Sequence, residues 1–276
     1  MSGTRFIAAC VQMRATRDPA RNRDDAVRMI GEAADAGAGY VQTPEMTSLV
    51  DRDRASLFAH VGPQEDDATR AALRETARAK GIVLHIGSLA IRDGVKVANR
   101  AFLIDRAGEI AAQYDKIHLF DVDLPNGETW RESSTYSGGE EAVLVQTPFG
   151  KLGLAICYDI RFPYLYRAYA EAGADILCAP ACFTRQTGEA HWVALHRARA
   201  IENGAFMISA AQGGLHEDGR ETFGHSIIVD PWGRVLAEAE AEPGVIMAEI
   251  DIEDVGRARQ RIPSLRHTRP FTMVER

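Results

Sequence analysis

Apolar positions along the chain follow two periods. Runs of strand length cover 5–13, 39–43, 82–90, 96–104, 142–147, 151–157, 175–179, 205–211, 226–230 and 245–250. Between several of them the apolar residues spread to helical spacing. Asp18 followed by Pro19 makes an N-cap and first-turn pair, opening a helix that ends near Gly37. Residues 69–80 stopped by Gly81, 163–172 stopped by Gly173, and 188–203 stopped by Gly204 read as three more helices. Parallel-type crossovers mixed with hairpins predict an α/β fold with mixed sheets.

The pattern echoes itself. FLIDRAGEI at 102–110 matches IIVDPWGRV at 227–235, both reading as strand, Asp-x-x-Gly turn, strand. Thr43-Pro44-Glu45 after one strand is echoed by Ala179-Pro180-Ala181 after another. Two similar halves predict two sheets packed face to face with helices outside. No Gly/Ser/Pro-rich linker separates them, so a single domain over 1–276 is expected, with a tail from about 253 to 276.

Composition narrows the class. The 276 residues are 46% hydrophobic, ample for a core. The net charge is −7 with no basic block, which argues against nucleic acid as a partner. No apolar run approaches membrane-spanning length, and the N-terminal apolar run reads as a first strand rather than a secretory segment. The four cysteines (Cys10, Cys157, Cys178, Cys182) form no CxxC pair and no disulfide framework, so a reducing cytoplasm is expected. Cys178 and Cys182 lack a matching His/Cys pair for a metal and read as packing residues.

Three polar residues stand where strand runs end: Glu45, Lys116 and Cys157. In GLAICYDIRFP the thiol sits between a strand and a polar turn, with Pro163 opening the next helix. Ligands of α/β proteins gather at such strand ends. The N–H groups after the cysteine would be free to hold an oxyanion. A thiol needs a base or a cation beside it, and Glu45 and Lys116 could supply both. Each residue also has an ordinary reading: Cys157 as a small buried hydrophobe, Glu45 as a cap, Lys116 as a surface charge beside Asp115. None of the eight histidines is next to Cys157 in sequence, but triad partners are often distant, so a Cys-His hydrolase stays open. Tyr158, Phe183 and Thr184 are candidate pocket walls. Arg161 either clamps a substrate carboxylate or pairs with Asp159, the pair being favoured.

At these residues the chain resembles the nitrilase, or carbon–nitrogen hydrolase, superfamily. The motifs are PE at 44–45, DKIHLFDVDLP at 115–125, ES at 132–133, GLAICYDIRFP at 153–163, TGEAHWVALHRARAIEN at 187–203 and GHSIIVDPWG at 224–233. The resemblance spans about residues 5–270. It implies a four-layer αββα sandwich with two mixed β-sheets, and a Glu–Lys–Cys triad needing no metal or organic cofactor. It implies Cys157 as nucleophile, Glu45 as general base, Lys116 as oxyanion cation and Glu132 as a fourth polar residue holding substrate and lysine. The Tyr158 N–H would complete the oxyanion hole.

The implied reaction is attack of Cys157 on an amide, proton relay by Glu45 to leaving ammonia, and hydrolysis of a thioester. A nitrile would pass through a thioimidate at the same triad. HLFDVDLP followed by Glu-Ser resembles the amidase branch containing omega-amidase and deaminated glutathione amidase. The segments 211–226 and 261–270 resemble the latter. The expected substrate is therefore a small carboxylate-bearing amide, deaminated glutathione-like, with 2-oxo-acid amides or N-carbamoyl amino acids as alternatives. A binding protein that keeps the fold without activity is the rival class, and the intact Glu45, Lys116, Glu132 and Cys157 set argues against it. Tyr164 departs from the Glu that family members often carry after RFP, which puts substrate preference in question. The segment 46–60 is a candidate for the pocket entrance. The family also implies a homodimer or higher homo-oligomer, with the helices near 163–173 and 188–203 as candidate interfaces.

Overall fold

Strand Arg5–Gln12 shows how the layers arise. Successive side chains point to opposite faces. Phe6, Ala8 and Cys10 enter one buried cluster, and Ala9 and Val11 enter another. A strand buried on both faces reads as a continuous apolar run, as this one does. The computed structural model describes residues 5–125 and 127–276.

Two large sheets result. In the first, the order is Gly244–Asp251, Arg5–Gln12, Tyr40–Gln42, Val83–Asp93, Lys96–Ile104, Ile110–Asp115, with Tyr136–Ser137 pairing onto Lys96–Ile104. In the second it is Leu144–Thr147, Gly150–Gly153, Ile176–Cys178, Phe206–Ser209, Ile227–Val229, Val235–Glu238. Read this way, both sheets run antiparallel, parallel, parallel, antiparallel, antiparallel. The echo seen in sequence is thus a repeat of topology. Its two turns match bond for bond: Asp105 Oδ1 accepts from Ala107 and Glu109 N–H, and Asp230 Oδ1 accepts from Trp232 and Arg234 N–H.

The helices are α1 (Pro19–Asp35), α2 (Arg54–His60), α3 (Ala68–Lys80), α4 (Pro163–Glu171), α5 (Arg185–Asn203) and α6 (Glu253–Arg261). Ile30 of α1 and Leu73 of α3 pack with Ala9 and Val11 on the outside of the first sheet. Trp192 and Ala200 of α5 join the cluster that also fills the space between the sheets. The order of layers is αββα, as expected. No described helix is long and apolar enough to cross a membrane.

Several elements differ from the sequence reading. The strand expected over 151–157 stops at Gly153, because Ile156 N–H turns to Asp159 Oδ2 (2.8 Å) and Cys157 N–H to Pro180 O (3.0 Å) instead of a neighbouring strand. Helix α5 begins three residues before Gly188, because the Thr184 side chain accepts from Thr187 N–H and caps it. Helix α2, capped by Asp53 accepting from Ser56 N–H (2.7 Å), has too short a period to announce itself. Residues 253–261, expected as tail, form α6 with Glu253 and Asp254 in its first turn.

Candidate active site

The turn that carries the candidate nucleophile is strained and firmly tied. Cys157 opens a 3-10 segment with φ of +49°, and Met46, directly after Glu45, has φ of +56°. Left-handed backbone at a side chain with Cβ costs about 1–2 kcal/mol, and such strain gathers at functional sites. Asp159, fully buried, ties the turn down. Its Oδ2 accepts from Ile156 N–H (2.8 Å) and the Tyr114 hydroxyl (2.7 Å). Its Oδ1 accepts from His118 N–H (3.0 Å) and lies 2.6 Å from His118 Nδ1. Arg199 of α5 adds a bond from Nε to Ile160 O (2.9 Å).

Glu45 follows strand Tyr40–Gln42 and is held from several directions. Oε1 accepts from Lys116 Nζ (2.9 Å) and Asn99 Nδ2 (2.9 Å); Oε2 accepts from the Cys182 backbone N–H (2.7 Å). The Cys157 thiol is close enough to this carboxylate for each to shift the other's proton affinity. Gly87 lets the turn close: a Cβ there would stand 2.1 Å from Thr43 O and 2.6 Å from both Pro44 C and Pro180 Cβ. Lys116 follows strand Ile110–Asp115 and is shared with Glu132, whose Oε1 and Oε2 lie 3.0 and 2.8 Å from Nζ. Glu132 Oε2 also accepts from Phe120 N–H (2.6 Å).

The charges follow from these contacts. Burial pushes the Glu45 carboxyl up, but the Lys116 charge, the hydrogen bonds from Lys116 and Asn99 and the nearby Cys157 thiol outweigh it, leaving it below its ordinary range. Burial pulls Lys116 down, and the charges of Glu132 and Glu45 more than reverse this, so it stays cationic. Burial and the Glu45 charge push the Cys157 thiol well above its ordinary value against the pull of Lys116. The resting site is an ionised carboxylate, an ammonium and a neutral thiol.

Glu45, Lys116, Glu132, Cys157, Tyr158, Phe183 and Thr184 all line one cavity of about 480 Å³. Met46, Arg52 and Leu57 bring the segment 46–60 into its wall, as expected of an entrance. The Thr184 hydroxyl faces Thr187 Oγ1 (2.8 Å), so this residue is a wall and a cap together. No histidine is among the described lining residues, which removes support from a Cys-His pair.

Two sequence readings need correction. Arg161 does not pair with Asp159, whose oxygens are taken by Tyr114, His118 and Ile156; its Nη1 lies 3.2 Å from His191 Nδ1 and its guanidinium carbon 5.1 Å from the ring of Phe183 in the cavity wall. Cys182 is not merely a packing residue, since its N–H holds the catalytic carboxylate candidate. Tyr164 does not line the cavity; its hydroxyl lies 2.5 Å from His118 Nε2, behind the nucleophile turn. Asn99, which joins Glu45 and Glu132, was missed by sequence reasoning, although a lone amide inside the apolar strand Lys96–Ile104 was its signal. Among the described residues, no group of three or more His, Cys, Asp or Glu is arranged to hold a metal.

Comparison with known proteins agrees with this geometry. The carbon–nitrogen hydrolase family model matches residues 7–260. The chain is 39% identical over 267 residues to the deaminated glutathione amidase of Synechocystis sp., covering 95% of this chain and 97% of that one. It is 39% identical over 271 residues to the deaminated glutathione amidase of Mus musculus, covering 96% and 83% respectively. The fold superposes on the crystal structure of the Caenorhabditis elegans NitFhit protein with a TM-score of 0.90 at 36% identity, covering 98% of this chain and 66% of that one. In sequence and in fold alike, this chain is an enzyme of the carbon–nitrogen hydrolase family, within the nitrilase superfamily.

Proposed function

We propose that the protein is a thiol amidase cleaving the C–N bond of a small linear amide that bears a carboxylate, with deaminated glutathione as the leading substrate. One observation carries the chemistry: the Cys157 thiol, the Glu45 carboxylate and the Lys116 ammonium that donates to it at 2.9 Å all face one cavity. The identity to deaminated glutathione amidases supports the substrate.

The steps balance on these groups. As Cys157 Sγ bonds to the amide carbon, its proton passes to Glu45. The oxyanion develops against Lys116 and the Tyr158 N–H, which the first turn of the 3-10 segment leaves unbonded. Glu45 returns the proton to the departing nitrogen as the C–N bond breaks, leaving a thioester. Water then gives its proton to Glu45 and bonds to the acyl carbon, the C–S bond breaks, and the thiol recovers the proton. Glu132 keeps Lys116 placed throughout. A primary amide releases ammonia, and a substituted amide releases an amine.

The test is product formation from deaminated glutathione, 2-oxoglutaramate, N-carbamoyl amino acids and a simple nitrile, with Cys157→Ala as control. Hydrolysis of the first, abolished in the variant, is expected. Preference for another amide would keep the chemistry and move the substrate. No turnover of any member would sink the reading.

The protein is further read as a cytoplasmic homo-oligomer. All four cysteines are free thiols, which fits a reducing compartment. Tyr164 on α4 and Ile201 on α5 leave apolar surface exposed where the family resemblance implies a subunit contact. Sedimentation equilibrium tests it, and a monomer at micromolar concentration would contradict it.

A further inference from the structure

Arg220 stands in the cavity wall in a loose ion pair with Asp218 and, among the described residues, without a hydrogen bond to a carboxylate. It lies between the short strands Gly213–Leu215 and Glu221–Phe223, in a turn fixed by bonds from His216 N–H to Arg220 O (2.8 Å) and from Gly219 N–H to His216 O (3.0 Å). Its side chain is 17% exposed and its guanidinium carbon lies 4.5 Å from the Trp130 ring centroid. Nη1 donates to Cys182 Sγ at 3.4 Å, a weak acceptor. Nε is buried with no hydrogen-bond partner among the described residues. The nearest carboxylate oxygen, Asp218 Oδ2, stands 3.9 Å away, too far to accept a hydrogen bond, and is itself buried without a partner.

Four other cations line the cavity; Arg52 and Arg54 are exposed to solvent at its edge, and the other two are committed. Lys116 is held by Glu45 and Glu132, and Arg131 Nη2 donates to both oxygens of Asp123 (2.8 and 3.0 Å). A buried guanidinium with donors unspent is costly unless an anion joins it. Its planar fork matches a carboxylate bidentately, and Trp130 supplies a flat wall beside it. Cys182 relates this cation to the chemistry. Its N–H binds Glu45 and its sulfur takes the Arg220 bond, so one residue separates the guanidinium from the carboxylate beside the nucleophile.

We propose that Arg220 is the specificity-determining residue of this site, anchoring the free carboxylate of the substrate while its amide faces Cys157. The inference rests on the amidase reading above and names the residue that selects the substrate's charged end.

The test separates binding from turnover. Calorimetry on Cys157→Ala measures the affinity for glutaramate, which carries a carboxylate and a primary amide, and for glutardiamide, its neutral counterpart. Glutaramate binds more tightly. Adding Arg220→Gln weakens glutaramate roughly 10- to 100-fold, the range of hydrogen bonds to a charged partner, and leaves glutardiamide unchanged. Arg220→Lys keeps the charge without the fork and shows a smaller loss, again confined to glutaramate. Thermal melts establish that each variant is folded. Equal loss for both ligands, no loss for glutaramate, or no initial preference for glutaramate would overturn the assignment. Turnover by the unmodified protein is measured separately. Selective binding without hydrolysis would leave the anchor standing and remove the amidase reading, whereas hydrolysis together with an Arg220→Gln variant that keeps the full preference for glutaramate, or weakens both ligands equally, would do the reverse.

Discussion

The backbone N–H of Cys182 donates to Glu45 Oε2 at 2.7 Å, joining the turn after strand Ile176–Cys178 of one sheet to the turn after strand Tyr40–Gln42 of the other. The carboxylate proposed to move protons is thus oriented by backbone from the opposite half. Because the donor is an amide N–H, the Cys182 side chain is dispensable for it. Cys182→Ala should keep kcat within about threefold, since a thiol is a weak hydrogen-bonding group. Glu45→Gln should lower kcat about 10²- to 10⁴-fold, the range of a general base, while Cys157 remains open to alkylation by iodoacetamide. Steady-state kinetics with peptide mapping of the labelled cysteine checks both.

Lys116 neutralises two buried carboxylates at once, so its removal is worse than the loss of one contact. Lys116→Met leaves Glu45 and Glu132 facing each other with no cation between them. Breaking a buried pair in this way costs about 3–5 kcal/mol. The variant should lose that stability at pH 7 and regain part of it at pH 5, because burial pushes the Glu45 carboxyl up and the lysine that outweighed it is gone. Urea unfolding at the two pH values measures it, and an equal cost at both would show that the carboxylates do not share the burden. Lys116→Arg should not restore kcat, because a planar fork does not replace a compact ammonium.

Much of this was legible in the sequence because the signals are local. Asp18, Pro19, Gly81 and Gly204 mark helix ends by their own conformational preferences, and the structure places them there. The paired Asp-x-x-Gly turns revealed the repeat before any topology was known. Glu45, Lys116 and Cys157 lay at strand ends, although their convergence came from the family resemblance rather than from spacing. What escaped depends on distant contacts. Arg161 and Arg220 are both arginines near plausible walls, and only the fold decides which enters the cavity. Nothing local tells that Asp159 spends its oxygens on Tyr114 and His118, 45 and 41 residues away in sequence, rather than on Arg161.

Asp159 gives a prediction about positioning. It is an acceptor at four contacts around the nucleophile turn. Asp159→Asn turns one of its oxygens into a donor that must face another donor. The expected result is a loss of at least about 2 kcal/mol in stability, the scale of buried unsatisfied polar groups. kcat should fall by up to about 100-fold as Cys157 shifts, with KM nearly unchanged because Asp159 is not in the cavity wall. A rise in KM at constant kcat would contradict a role in placing the nucleophile.

Acid should weaken the protein before it disarms the site. His85 and His196 are fully buried, and burial lowers each pKa to about 3. His85 Nδ1 accepts from Gln42 Nε2 (2.9 Å), and His196 Nδ1 lies 2.8 Å from Trp192 O; among the described residues the Nε2 of each has no partner, so no described anion stands ready to welcome a second proton. An unfolded histidine takes its proton near pH 6.5, so the folded state binds fewer protons between pH 6.5 and 3. The stability from neutral burial is complete above pH 6.5 and is lost as pH falls toward 3, at up to about 1.4 kcal/mol per pH unit per histidine. Between pH 6 and 5 the pair should cost roughly 2 kcal/mol in urea unfolding, and His196→Phe should remove about half of that slope. Glu45 is held below its ordinary carboxylate range, so it stays ionised across this window. Short assays of still-folded protein at pH 5 should therefore retain kcat while melting temperature falls. A stability flat from pH 6 to 5 would mean that these histidines are not buried neutral.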